Sequence, residues 1–346
     1  MNRSVTSQAI LRLVVAIAVA VALTNLIAFS AGVAPRLALR VAFEGSIGSG
    51  YGIGQILFRA TPIALTAMAA RLALTAGLFN IGVEGQLAAA TLAVGAGGAW
   101  LAERGFDGAS LGLVLAPVAC AAGASIAAVP GVLRARFGAS EVISGLVSNQ
   151  LVVQGSAFLL RVWLAVPGTT RTTSLPRVAL LPPLGAFVPA LAGSPVTVVT
   201  VAVFLIAPAA YALLRRARIS REWALLAESP EACEFAGIPV ARRRLEAIVL
   251  SGAVAGLAAM PLVLGYKGYA EPGLGAGSGF AGLAAAMMGG GSAAVTLAAA
   301  LWFGVVDQAG LALHALVPKD LVLVVQATTL VVAAVLGARN SEGARP

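Results

Sequence analysis

The segment GLFNIGVEGQ, from Gly77 to Gln86, groups three strongly polar side chains inside an apolar part of the sequence. Asn80, Glu84 and Gln86 supply two amides and a carboxylate, which can hydrogen bond to a polar solute or to unpaired backbone amides. The glycines between them favour non-helical turns. Two roles are therefore open: a place on a path for a polar solute, or a tight turn in which Glu84 satisfies backbone N–H groups.

Two further polar pairs interrupt long apolar runs. Asn149 and Gln150 lie in the middle of one run, and Gln154 shares a helical face with Gln150. Asp307 and Gln308 lie within another run. If these runs cross a membrane, an ionised group there costs roughly 2.5 to 3.5 kcal/mol even on a lenient scale. Each pair therefore predicts either an interhelical hydrogen bond or a contact with a transported solute.

The composition identifies the surroundings of these polar groups. Of the 346 residues, 59% are hydrophobic and 11% are charged, whereas about 25% of residues are charged in soluble domains. The chain is therefore predicted to be a polytopic, all-α membrane protein. Its net charge of +9 comes from basic residues between apolar segments, which indicates orientation in a membrane and argues against nucleic-acid binding.

Apolar stretches of about the 17 to 25 residues that a bilayer requires predict about ten transmembrane helices. They fall at residues 11–31, 54–76, 85–102, 111–133, 140–162, 195–214, 245–266, 278–292, 294–313 and 321–337. The first is predicted to be a retained span, with a signal peptide ending after Ser30 as the alternative. The arginine distribution places both the N- and C-termini in the cytoplasm. The prediction is one transmembrane domain, 1–346, with a cytoplasmic loop at 215–244 and a rigid, proline-rich external loop at 163–194.

A short helix is predicted inside the cytoplasmic loop. Ser229 is a suitable N-cap, and Pro230 suits the first helical position. Acidic residues follow, which the positive N-terminal end of a helix favours, and Gly237 ends the helix. Arginine clusters flank the segment on both sides, so the helix is expected at the cytoplasmic face, where it is presented to something outside the membrane.

Several catalytic motifs are absent from the sequence. No G-x-x-x-x-G-K-[ST] occurs, because neither Lys267 nor Lys319 follows a glycine-rich loop of that form. His314 is the only histidine, and Cys120 and Cys233 are the only cysteines, which leaves no metal-ligand set and no disulfide framework. The chain is therefore predicted not to be an enzyme and to bind no metal or cofactor itself.

Four motifs resemble those of a known family. They are GLFNIGVEGQ at 77–86, GASEVI at 138–143, ESPEACEFAGI at 228–238 followed by SGAVAGLA at 251–258, and GFAGLAAAMMGG at 279–290. In this order they resemble the permease subunits of bacterial ABC importers, in particular the nucleoside branch, which is related to permeases for ribose and other simple sugars. The resemblance covers residues 54–337.

The resemblance implies that residues 228–237 form the coupling helix that fits a cleft on a separate ATPase. Its coupling residues would be Glu228, Ser229, Pro230, Glu231, Ala232, Glu234, Ala236 and Gly237. The residues expected along the substrate path are Asn80, Glu84, Gln86, Asn149, Gln150, Asp307 and Gln308. This chain departs from the family pattern at Ser229 and Cys233, where Asn and Ala are usual, and at 144–150, where an aromatic residue is usual.

The implied function is that of an inner-membrane or plasma-membrane permease that imports a nucleoside or related small polar solute. Its expected partners are ABC ATPase subunits that hydrolyse the ATP, a second and usually different permease subunit, an external substrate-binding lipoprotein and the lipid bilayer. Loops 163–194 and 267–277 are expected to receive the binding protein. Two alternatives stay open: the same importer with a simple sugar such as a pentose as its substrate, and a self-sufficient secondary transporter.

Overall fold

The structure is a computed structural model that describes residues 3–106, 108–314 and 316–318, together with positions 324, 327, 328, 331, 332 and 335. The predicted span at 321–337 therefore falls largely outside the described residues, as does the C-terminal end. Every α-helix reported below lies within residues 3–313.

The regular structure of this part of the chain is helical. In chain order the helices are α1 (Arg3–Ser30), α2 (Pro35–Gly45), α3 (Gly50–Thr75), α4 (Val83–Ala102), α5 (Gly108–Phe137), α6 (Glu141–Leu159), α7 (Val198–Leu214), α8 (Arg218–Glu228), α9 (Pro230–Phe235), α10 (Val240–Gly256), α11 (Ala259–Leu262), α12 (Ser278–Met288) and α13 (Ala293–Leu313). Short π-helical turns extend α6 through Leu160–Leu164 and α11 through Val263–Lys267. The all-α prediction is confirmed for these residues.

Six helices in the described residues are long and apolar enough to cross a membrane, or seven if α7 and α8 count as one span bent by 76°. The six are Leu13–Ser30, Gly50–Thr75, Ser110–Phe137, Glu141–Leu164, Val240–Lys267 and Ala293–Leu313. A multi-pass membrane protein is confirmed, but the predicted total of ten spans is not. The predicted segment 85–102 forms α4, which is not among the six.

The predicted span at 278–292 is wrong as a membrane crossing. The 11 residues of α12 measure about 16 Å at 1.5 Å per residue, whereas a hydrocarbon core is about 30 Å thick. Glycines delimit the helix on both sides: Gly277 has φ +88°, and Gly291 has φ +107°. Apolar composition suggested a full span, but glycine backbone conformations divide the segment into an irregular stretch and a short helix.

Helix α3 is the centre of the bundle, with 89% of its spanning segment buried inside the protein. It packs against α10, α12 and α13. A second close contact joins α5 to α10 through glycines: a Cβ added at Gly123 would meet the Gly252 carbonyl oxygen at 2.1 Å. Small residues let helix backbones approach closely in lipid. The close packing of the two glycine surfaces is therefore expected to determine how α5 and α10 lie against each other.

The proline-rich segment at 163–194 is structured, as predicted. It contains three short 3-10 turns and is hydrogen bonded to the chain after α11. The Thr172 N–H donates to the Ala270 carbonyl at 2.9 Å, and the Leu175 N–H donates to the Gly268 carbonyl at 2.7 Å. These bonds attach the segment to the helical bundle, which suits a rigid cover.

The α5–α10 contact can be tested with one substitution at two glycines of α5. Gly123→Ala places a methyl group against backbone and should destabilise the fold by about 1–3 kcal/mol. Gly112→Ala is the matched control, because no heavy atom lies within 4 Å of its added Cβ, and the better helix propensity of Ala should leave stability unchanged or slightly higher. Thermal unfolding in detergent measures both; equal melting temperatures would contradict the close packing.

Candidate translocation and coupling sites

Glu84 joins the first turn of α4 to the first turn of α12. Its Oε1 accepts the Gly277 N–H at 2.6 Å, and its Oε2 accepts the Gly279 N–H at 2.8 Å. The first N–H groups of a helix have no partner within the helix, and Gly277, at the N-cap of α12, has no side chain that could accept them. Glu84 therefore serves as the cap, and its negative charge favours the positive end of α12.

Asn149 caps the N-terminal end of α4 in the same way. Its Oδ1 accepts the Gly85 N–H at 2.6 Å, and its Nδ2 donates to the Ile81 carbonyl at 2.6 Å. The N-cap of α4 is Gly82, which also lacks a capping side chain. The buried amide of Asn149 thus ties α6 to the irregular turn before α4, and the interhelical hydrogen bond, one of the two roles predicted for it, is confirmed.

Asn80 and Gln86 form a buried, reciprocal amide pair. The Asn80 amide donates to Gln86 Oε1 at 2.9 Å, and the Gln86 amide donates to Asn80 Oδ1 at 2.8 Å. Asn80 also donates to Ser251 Oγ on α10 at 2.8 Å, and Ser251 donates to the Ala69 carbonyl on α3 at 2.6 Å. These bonds link α3, α4 and α10 at one point.

The junction formed by Glu84, Asn149 and the amide pair lies at membrane depth. Thr66 of α3 donates to the Ser278 carbonyl at 2.8 Å, and Thr66 precedes the α3 end at Thr75 by nine residues, or about 13 Å along the helix axis. Irregular backbone is tolerated at such depth only where it is buried in protein or lines a cavity. The predicted turn in which Glu84 satisfies backbone amides is confirmed; a role in the substrate path stays a prediction.

A small cleft of about 60 Å³ borders this junction. It lies between α4, α6 and the irregular stretch 270–276, and most of its lining is apolar. The polar side chains in its wall belong to Glu84, Thr91, Ser156 and Glu271. The carboxylate of Glu84 therefore caps α12 and also contributes to the wall of the cleft.

The remaining path residues divide into exposed and buried ones. Gln150 is exposed on α6, as is Gln154, on a span of which only 11% is buried. Gln308 is buried on α13, donates to the Gly45 carbonyl at 3.0 Å and accepts from Arg59 at 3.1 Å. Asp307, beside it, interacts electrostatically with Arg59. The structure does not bring this α13 pair together with the Glu84 junction.

The short helix predicted in the cytoplasmic loop is α9. The Ala232 N–H donates to the Ser229 side chain at 3.2 Å, and Gly237 ends the helix with φ +71°. The Ile238 N–H returns to the Cys233 carbonyl at 2.9 Å, which closes the C-terminus in the way typical of a glycine-terminated helix. The predicted N-cap and terminating glycine are both confirmed.

One residue of α9 was missed by the sequence reasoning. Phe235 is 95% exposed, although Cys233, two residues earlier, is buried against Leu226 and Val240. The sequence pattern that could have indicated it is an aromatic residue placed between an acidic residue and a small one, Glu234 and Ala236. Exposed aromatic residues are enriched among the residues that anchor protein interfaces, so Phe235 joins the coupling candidates.

A charged cluster behind α9 was also missed. Glu222 of α8 is flanked by Arg218 and Arg243. A hydrogen bond from Arg218, together with the nearby charge of Arg243, holds the pKa of the Glu222 carboxyl below its usual range. The arginine clusters were interpreted as orientation signals, and their specific pairing depends on how α8 folds back onto α10.

Membrane-crossing helices, a polar junction buried between them and a short helix that exposes Phe235 are consistent with a membrane transport protein. Comparison with known proteins identifies the family. Residues 52–334 match the family described as branched-chain amino acid transport system / permease component, and the chain belongs to this family. It is therefore a multi-pass permease component, as the resemblance implied.

Three relatives show the range of transporters in which similar chains occur. A glucose ABC transporter permease of Haloferax volcanii is 30% identical over 309 residues, 86% of this chain and 79% of the relative. A guanosine permease of Bacillus subtilis is 29% identical over 70% of this chain and 68% of its own length. A nucleoside permease of Lactococcus lactis is 27% identical over 65% and 62%, respectively. No solved structure gave a significant match.

Replacement of Glu84 tests the junction. A glutamine can accept one of the two N–H bonds but places an NH₂ group opposite the other, so Glu84→Gln should destabilise the protein by about 1–3 kcal/mol. Glu44→Gln on α2 removes an exposed carboxylate and should have no measurable effect. Thermal unfolding in detergent measures both, and an unchanged midpoint for Glu84→Gln would rule out the capping role.

Proposed function

We propose that this permease takes up a nucleoside or a related small polar solute, and that it is driven by a separate ATPase bound at α9. The observation that carries the proposal is α9 itself: a capped six-residue helix held on the protein by Cys233, with Phe235 facing outward. Two relatives named for guanosine and nucleoside transport support the substrate class. The glucose relative supports a simple sugar as the second candidate.

The proposed assembly contains partners beyond this chain. Two ABC ATPase subunits would bind and hydrolyse ATP, so that this chain needs no cofactor of its own. A second permease subunit, more suitably a different chain than a copy, would complete the path. An external substrate-binding lipoprotein would dock on loops 163–194 and 267–277. A single transmembrane domain, 1–346, with both termini in the cytoplasm remains part of the proposal.

The surface of α6 favours a path shared with the second permease subunit. Ile143, Val147 and Leu151 are exposed on this helix, and the amide side chains of Gln150 and Gln154 are exposed among them. An amide facing hydrocarbon is costly, so this surface suits a water-containing path or a partner helix. We assign Gln150 to solute contact.

The other path residues would support this surface from behind. Asn149, Glu84, Asn80 and Gln86 hold the turn and the cleft next to α6, and Asp307 and Gln308 would act at a separate point on α13. When the ATPase subunits close, they would displace α9, and rigid-body rocking of the attached helices would open the path to the other side. Glu228, Ser229, Pro230, Glu231, Ala232, Glu234, Ala236 and Gly237 would form the docking surface with Phe235.

Truncation of Phe235 tests the docking surface. Because Phe235 is almost fully exposed, Phe235→Ala should leave folding unchanged and weaken ATPase binding by roughly 2 kcal/mol or more, about 30-fold in affinity. Phe187→Ala is the matched control, since Phe187 is also exposed but lies in the segment 163–194, away from α9. Titration of the purified permease with its ATPase in detergent measures both affinities.

Equal ATPase affinity of the wild type and Phe235→Ala would place the docking surface elsewhere. If the wild type binds no ATPase, and purified protein in liposomes takes up solute along an ion gradient, the secondary transporter becomes the better assignment. The outcome of one titration and one uptake assay therefore separates the two classes of transporter.

Transport by the reconstituted complex tests the path and the substrate together. Unlabelled nucleoside should compete with uptake of a labelled nucleoside, whereas glucose or a pentose should not. Gln150→Leu should lower the uptake rate, on the order of tenfold, because a solute hydrogen bond of about 1.5 kcal/mol is lost. Val147→Leu, an apolar change at a neighbouring exposed position, should leave uptake unchanged. If only a sugar competes, the substrate is a simple sugar and not a nucleoside.

A further inference from the structure

A network of charged side chains connects α8 to the first turns of α10. Glu222 Oε1 accepts from Arg218 Nε at 2.8 Å, and Glu222 Oε2 lies 2.6 Å from Arg243 Nε. Arg243 Nη1 donates to Glu246 Oε2 at 2.6 Å, and Glu246 Oε1 accepts from Arg242 at 2.8 Å. The Glu222–Arg243 ion pair is the contact in this network that crosses from one helix to the other.

This pair differs from an ordinary surface ion pair. The Glu222 side chain is 8% exposed and that of Arg243 is 22% exposed, so water and salt screen their attraction less than at an open surface. Removal of one partner leaves the other as an uncompensated charge in a partly buried position. By contrast, Arg40 and Glu44 pair at the same kind of distance, 2.8 Å, within the exposed helix α2.

An apolar cluster joins α8 and α10 to α9. Leu226 of α8, Cys233 of α9 and Val240 of α10 are buried against one another, with Ile238 beside them. Each helix thus contributes one member to the core. Trp223 of α8, which is 1% exposed, also packs into the main core, and the Glu222–Arg243 ion pair adds a charged connection between α8 and α10.

We propose that Glu222 and Arg243 are positioning residues that clamp α8, α9 and the first turn of α10 into one rigid lever. The proposal rests on the proposed coupling role of α9. When the ATPase displaces α9, the clamp would make α10 move with it. Without the clamp, the loop around α9 could move while α10 stays in place.

Two contacts, one on α8 and one further along α10, connect the lever with the turn that precedes α4. Ser251, eight residues beyond Arg243 and about 12 Å further along α10, accepts the hydrogen bond from Asn80. At the end of α8, Ala227 packs against Gly77, where an added Cβ would lie 3.0 Å from the Ala227 Cα. A movement of the lever therefore reaches both ends of the turn that carries Asn80 and leads into Glu84.

The test uses the complete transporter in proteoliposomes and measures solute transported per ATP hydrolysed. Glu222→Gln and Arg243→Gln should each lower this ratio about 2- to 30-fold, and the double variant should be no worse than either single variant, because both remove the same pair. Glu44→Gln is the control and should leave the ratio unchanged. Thermal unfolding of each complex, recorded in parallel, separates loss of coupling from loss of stability.

An unchanged ratio in both single variants, with or without a lower unfolding temperature, would overturn the clamp, as would additive losses in the double variant. If Glu222→Gln does not assemble, Arg243→Lys supplies the comparison, because it keeps the charge but loses the planar fork of donors. Failure of the proposed function would look different: the wild-type complex would then show no ATP hydrolysis in response to solute, before any variant is compared.

Discussion

A helix that begins inside a membrane protein needs acceptors for its first backbone N–H groups, because no water is available there to supply them. Two helices, α4 and α12, begin at the same internal point, and both have a glycine at the N-cap. Glu84 and Asn149 provide the missing acceptors from neighbouring helices. The position of α4, α6 and α12 relative to one another thus depends on two polar side chains and the four hydrogen bonds that they make.

The same requirement explains why these side chains are buried although they are polar. Glu84 neutralises the positive end of α12, and Gly279 must lack a side chain there, since an added Cβ would lie 2.6 Å from Glu84 Oε2. The Asn80–Gln86 pair satisfies most of its own hydrogen-bonding capacity. A polar interior assembled in this way is rigid when every group is paired, so it can support a path surface on α6 without itself binding the solute.

Local features were predictable from the sequence, and distant pairings were not. The caps of α9 follow from Ser229, Pro230 and Gly237, which act within one helix turn. That Glu84 satisfies backbone N–H groups was one of the two roles predicted for it. Its partners Gly277 and Gly279 lie far along the chain, and no sequence pattern in either segment identifies the other. The short α12 was mistaken for a span because hydropathy does not register positive-φ glycines. Phe235 was missed because exposure depends on how α9 packs on α8.

The attachment of α9 limits how a force applied to it can act. Helix α10, which follows α9 after a short turn, belongs to a spanning segment that is 72% buried. Its glycines contact the backbone of α5. A closely packed interior does not deform continuously, so α10 cannot bend away from α5 without opening voids along Gly123 and Gly252. Under the proposed coupling, displacement of α9 would therefore move α10 and α5 together. The spanning segment of α6 is only 11% buried, but Asn149 attaches the helix to the turn before α4. The movement would therefore reach the exposed face of α6, which carries Gln150, through this attachment.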